Sequence, residues 1–129
     1  MLEFDEYKVK LNNLRPGLDE LGKALGLEAA ERELDMLESE SASDGFWDNL
    51  EKAQKVQQRI KQLHHKIDGQ KKRLSQWEDL MTLCEMGNEE EDASLVAEVE
   101  EGYAKLEEEM AEAKLATLLT GEYDANNAI

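Results

Sequence analysis

Val56–Met86 reads VQQRIKQLHHKIDGQKKRLSQWEDLMTLCEM, and the spacing of its apolar residues decides the fold class. Val56, Ile60, Leu63, Ile67, Leu74, Trp77, Met81 and Cys84 recur in steps of three and four, interrupted only by Gln70. Residues three and four apart share one face of an α-helix, whereas a strand would alternate at every second residue. The pattern lasts about four heptads and predicts a single helix from Asn49 to Met86 with a coiled-coil-like seam. At 1.5 Å per residue such a helix is a rod of roughly 55 Å.

The residues on either side place its ends. Ser39 to Gly45 is rich in Ser, Asp and Gly and reads as a loop. Phe46 and Trp47 follow it, and Asp48 is the expected N-cap, with Glu51 three residues on reaching back in a capping box. Gly87 and Asn88 read as C-cap and turn, and Glu89 to Asp92 put four acids where the next helix would start and the macrodipole would favour them. Leu95, Val99, Tyr103, Leu106, Met110, Ala113 and Thr117 then resume the spacing, with Leu115, Leu118 and Leu119 widening the stripe. Residues 51 to 75 hold eight Lys or Arg against two acids, and residues 85 to 112 hold twelve acids against one Lys. Antiparallel pairing of these two helices would set opposite charges side by side. A long helix hairpin is the expectation.

Toward the amino terminus, Phe4, Tyr7, Leu11, Leu14, Leu18, Leu21 and Leu25 lie on one helical side. Pro16 falls inside that stripe and predicts a kink or restart near Leu14 to Gly17, since it lacks a backbone N–H and crowds the preceding turn. A further helix should carry Leu27, Ala30, Leu34 and Leu37 inward and stop near Ser41. Residues 121–129 have no period of their own. The fold class read from these patterns is all-α, a helical bundle with a long antiparallel coiled-coil-like hairpin.

Composition supports the same class and narrows the function. One proline and eight glycines in 129 residues leave little for the tight turns of a barrel or sandwich. The length suits one domain. A formal net charge of -16 opposes direct binding to nucleic acid, where affinity comes mostly from cations displacing counterions, and points to protein partners with basic patches. The single cysteine, Cys84, sits on the apolar seam with no basic cluster beside it and reads as core, not nucleophile. No apolar run approaches the roughly 20 residues needed to span a bilayer, and no leader is visible at Met1 to Glu6, so no membrane contact and a cytoplasmic place are expected.

No catalytic residues, cofactor site or metal site emerge, and an enzyme is not expected. His64 and His65 are adjacent on a helix, point about 100° apart and cannot share an ion unaided. The acidic stretches lack calcium-loop spacing. The structural or partner-contact candidates are Phe46, Trp47, Asp48 and Glu51. Two large aromatics between a polar loop and a helix either plug the end of the bundle or anchor a neighbouring domain or partner. The expectation is that both are buried and tie the loop down, so that truncating Trp47 lowers stability sharply. Trp77, on the seam, is expected in the core.

The segment Phe46-Trp47-Asp48-Asn49-Leu50-Glu51-Lys52-Ala53-Gln54-Lys55-Val56 resembles the Phe-Trp-Asp-Asp-Pro-Glu-Lys-Ala-Gln block of the bacterial release factor 2 family. The ending Gly121-Glu122-Tyr123-Asp124-Ala125-Asn126-Asn127-Ala128-Ile129 is similar to the stretch with which that family leaves its helical domain and enters the first strand of the next. Asp44 and Leu50 stand where the family commonly has prolines, Gly26 stands where Asp is common, and Pro16 is an addition. The resemblance covers essentially all 129 residues. It implies a helical amino-terminal domain over 1–120, with 121–129 starting the linker or strand into a following domain. It also implies a factor that directs termination at UAA and UGA. The family's Gly-Gly-Gln peptide-release and Ser-Pro-Phe codon-reading motifs have no counterpart here. The partners implied are the ribosome, near the stalk base of the large subunit, and release factor 3. Weak self-association of the isolated chain is a further expectation, since an apolar seam exposed without neighbouring domains can pair with itself. The alternative is a free-standing acidic helical adaptor or coiled-coil interaction protein, which would share the heptads and the charge but has no reason to end as this chain does.

Overall fold

The computed structural model describes residues 1–120. Their elements are α1 (Leu2–Ala24), α2 (Leu27–Ser41), a 3-10 turn at Phe46–Asp48, α3 (Leu50–Glu90) and α4 (Leu95–Thr120). No strand occurs among the described residues, and the fold is an all-α helical bundle, as the periodicity predicts. The expectations placed on 121–129 lie outside the described residues. The described residues form two compact units, one made of Met1–Leu25 with residues 72–120 and the other of Gly26–Lys71.

In the first unit three helices pack together, and cross-helix pairs fix their directions. Phe4 lies against Gly87 while the Trp77 indole Nε1 donates to the Leu11 carbonyl at 2.6 Å, so α1 and the later part of α3 run antiparallel. Leu80 packs on Gly102 and Gln76 donates to Glu109, so α4 returns along that same part of α3. Tyr7 and Tyr103 meet edge to face at 5.5 Å, and Gly17 faces Met110, which sets α1 and α4 in the same direction. The shared core is Phe4, Leu11, Leu80, Cys84, Val99 and Leu106, with Trp77 and Met81 packed against it. Leu80 belongs to this core although it lies off the seam read from sequence. A helix with two partners must bury a wider face than a two-helix seam exposes.

Three expectations fail in this unit, each for a physical reason. Of the kink or restart expected near Leu14 to Gly17, the restart does not occur: helix α1 continues through Pro16 as one element. Pro16 is exposed, on the side of the helix away from the core, while Leu11 and Leu18 on either side are buried on the same stripe. Gly87 and Asn88 are not a turn; α3 runs through them to Glu90. A side chain at Gly87 would fall inside the Phe4 ring, and Asn88 accepts from the Met1 amino group and donates to Asp5 at 2.9 Å. Those contacts outweigh the local turn preference of Gly-Asn. The turn comes at Glu91, whose φ of 51° is left-handed, and the Asp92 N–H closes it on the Gly87 carbonyl at 3.1 Å. Asp92 then accepts from the Ser94 hydroxyl and backbone N–H, bonds that hold its carboxyl below the usual carboxylate range. Leu115, Leu118 and Leu119 do not widen the buried stripe and are exposed, whereas Thr117 beside them is buried.

In the second unit α2 lies antiparallel to the early part of α3, with Glu33 opposite Arg59 and Glu40 opposite Lys52. Ala30, Leu34, Leu63 and Ile67 form one small core, and Phe46, Ala53 and Val56 form another, bridged by Leu37 and Ile60. The basic charges of residues 51 to 75 therefore do not all face α4. Arg59 and Lys52 pair with acids of α2, and Arg73 is the cation that Glu109 acts on. The reason is length, since the 26 residues of α4 cannot accompany the 41 of α3. Arg59 binds Glu33 through both Nε and Nη2 at 2.8 and 2.9 Å, and that forked bond holds the Glu33 carboxyl below its usual range.

Candidate partner-contact site

The four candidate residues fall on one short stretch, with Phe46, Trp47 and Asp48 in the 3-10 turn between α2 and α3 and Glu51 in the first turn of α3. Helix α2 ends as the Ala42 N–H bonds the Glu38 carbonyl, and the Ser41 and Ser43 hydroxyls donate to the Glu38 and Glu40 carbonyls. These bonds satisfy carbonyls that the helix end leaves without partners. Gly45 takes φ 79°, a left-handed conformation that glycine adopts without strain. The Asp48 N–H bonds the Gly45 carbonyl at 3.1 Å and closes the 3-10 turn. A short loop is thus pinned at both ends.

The turn sends its two aromatics opposite ways. Phe46 is 9% exposed and packs on Ala53 and Val56, as expected. Trp47 is 58% exposed, which overturns the expectation that both rings plug the bundle. In one 3-10 turn successive side chains point about 120° apart, so only one of two neighbours can face a core on one side. The Trp47 ring rests edge-on against Phe46, with centroids 5.1 Å apart and planes at 90°.

Asp48 is not the helix cap. Its backbone is committed to the turn, whereas Asn49 is extended at φ -105°, ψ 94°, and its Oδ1 accepts from the Lys52 N–H at 3.1 Å. An N-cap needs that extended backbone, so the role moves one residue on. Glu51 falls out of capping-box register and lies 3.7 Å from Lys55 instead, an exposed i,i+4 pair. Leu50, 59% exposed, adds to the apolar surface and was missed because it reads as an ordinary first-turn residue.

Cys84 is fully buried in the other unit, where burial pushes its thiol up and away from reactivity. His64 approaches Glu38 and Asp68 at 3.4 and 3.6 Å. No group of three His, Cys, Asp or Glu suited to a metal ion occurs among the described residues, and no described helix is long and apolar enough to cross a membrane. What the stretch offers is an exposed aromatic and aliphatic surface with acids beside it.

A family model described as the PCRF domain matches residues 30–129, and the chain belongs to that family. Along its whole length it is similar to peptide chain release factor 2 of Clostridium perfringens strain SM101, at 36% identity over 132 residues, covering 100% of this chain and 35% of that protein. The same named factor from Lactiplantibacillus plantarum is 34% identical over 128 residues, covering 99% of this chain and 34% of that one. The factor from Kineococcus radiotolerans is 32% identical over 124 residues, covering 96% and 34%. The chain thus spans about a third of the length of the curated relatives it matches. No solved structure matches it.

Proposed function

We propose that the chain serves translation termination as the helical amino-terminal part of a release factor of type 2, acting in the cytoplasm at UAA and UGA stop codons. The observation that carries this reading is full-length similarity to proteins named peptide chain release factor 2, together with the PCRF match over residues 30–129. Residues 1–120 are the helical domain in this reading, and 121–129 lead toward the next. Codon reading and peptide release belong to the family's other domains, since neither Gly-Gly-Gln nor Ser-Pro-Phe occurs here. This part is not an enzyme by itself and makes protein contacts, on the ribosome near the large-subunit stalk base and with release factor 3. The net charge of -16 suits basic protein surfaces and disfavours RNA. Weak self-association in isolation fits the exposed Leu115, Leu118 and Leu119.

The test is a graft. A release factor 2 from Clostridium perfringens whose matching third is replaced by this chain should keep codon-dependent peptide release on ribosomes programmed with UAA or UGA. The chain alone should give none. A folded graft without release at either codon, or release by the chain alone, would overturn the reading.

A further inference from the structure

We propose that Trp47 and Leu50, with Asp44 and Asp48 beside them, form a docking surface for a protein that presents an apolar pocket rimmed by Lys or Arg. The first support is that Trp47 is spare to the fold. Phe46 already closes the core on Ala53 and Val56, while Trp47 and Leu50 keep 58% and 59% of their surface in water. The second is order. The Ser43 hydroxyl on Glu40, the Asp48 N–H on Gly45, the Asn49 cap on Lys52 and the edge-on Phe46 ring hold the Trp47 backbone and one side of its ring. A large aromatic held in this way loses little freedom on binding, which is what binding hot spots need.

Charge selects the partner. Residues 33 to 51 contain seven acids and no Lys or Arg. Glu33, Glu40 and Glu51 pair with Arg59, Lys52 and Lys55, Glu38 lies against His64, and Asp35 is exposed on α2, away from Trp47 in the chain. Asp44 and Asp48, which flank Trp47 in the chain, are exposed and have no ion pair among the described residues. Two uncompensated carboxylates around an exposed indole repel phosphate and attract cations, so the fitting surface is a basic protein, not RNA. The choice of probe rests on the function proposed above, which takes ribosomal and factor contacts as the work of this chain.

The experiment measures binding of the whole chain to purified bacterial 70S ribosomes by co-sedimentation. Wild type should bind, Trp47→Ala should weaken binding by about 30-fold, and Trp47→Phe should recover part of it. The Asp44→Asn, Asp48→Asn double variant should bind less tightly and show a shallower salt dependence. A photo-crosslinker in place of Trp47 should mark a ribosomal protein at Lys- or Arg-bearing peptides. Wild-type binding that Trp47→Ala leaves unchanged would overturn the docking surface while the function reading stood; no wild-type binding would bring down both. Crosslinks to ribosomal RNA, crosslinks to a second copy of the chain, or a Trp47→Ala chain that no longer folds would each overturn the proposal.

Discussion

Phe4 and Phe46 each anchor one of the two compact units, in different surroundings. Phe4 is fully buried, and its ring occupies the space a Cβ at Gly87 would need. Phe46 closes a smaller core of Ala53 and Val56. The first unit is built on close apolar approach: Leu80 sits on Gly102 as Phe4 sits on Gly87, and both glycines let helices come near. The second has fewer buried side chains and adds charge pairs between α2 and α3, with the Glu33–Arg59 fork foremost. Both units should therefore respond to lost volume, and the second adds a pH-dependent contribution from Glu33.

The largest expected effect is Phe4→Ala, which leaves a ring-sized cavity and should cost about 3 to 5 kcal/mol. Hydrogen exchange in α1 and α4 should quicken first, and unchanged protection there would break the comparison. Next comes Gly87→Ala, which drives a methyl into a buried ring and should cost about 1 to 3 kcal/mol by urea unfolding, although Ala is the better helix former. A gain in stability would mean that the Phe4 ring yields freely.

The sequence makes these contacts only partly legible, and the division has a physical basis. Positions fixed by helical period were readable: Phe4, Leu11, Leu18, Leu63, Ile67, Val99, Leu106 and Thr117 are buried on the stripes that spacing predicts. Positions fixed by a distant partner were not. Gly87-Asn88 has turn chemistry, and only Phe4, Met1 and Asp5, over eighty residues away, hold it helical. Asp48 and Asn49 are equally good caps by residue type, and the 3-10 turn chooses between them. Of the candidate site, Phe46 was legible from its type and place. Trp47 was misread because burial follows from which way a one-turn segment points, which has no period in the sequence.

Smaller changes sharpen the contrast between the units. Glu91→Gly relieves a left-handed φ of 51° at the end of α3 and should raise stability by about 0.5 to 1 kcal/mol; a loss would show that the Glu91 side chain has a contact of its own to offset the strain. Glu33→Gln breaks the fork to Arg59 and, as a half-exposed pair, should cost about 0.2 to 1 kcal/mol. Arg59 lowers the folded-state pKa of Glu33 below 4.5, so the advantage of wild type over the variant is present above that value and fades as pH falls through the lowered one. An advantage that grows on acidification would contradict this sign.

The sharpest contrast is between adjacent residues, Phe46 buried and Trp47 exposed in one turn. Urea unfolding of Phe46→Ala and Trp47→Ala, followed by far-UV circular dichroism, tests most directly whether the first holds the fold and the second is left for contact. Phe46→Ala should lose about 3 kcal/mol, and Trp47→Ala should stay within about 0.5 kcal/mol of wild type. A large loss on truncating Trp47, or none on truncating Phe46, would contradict the account.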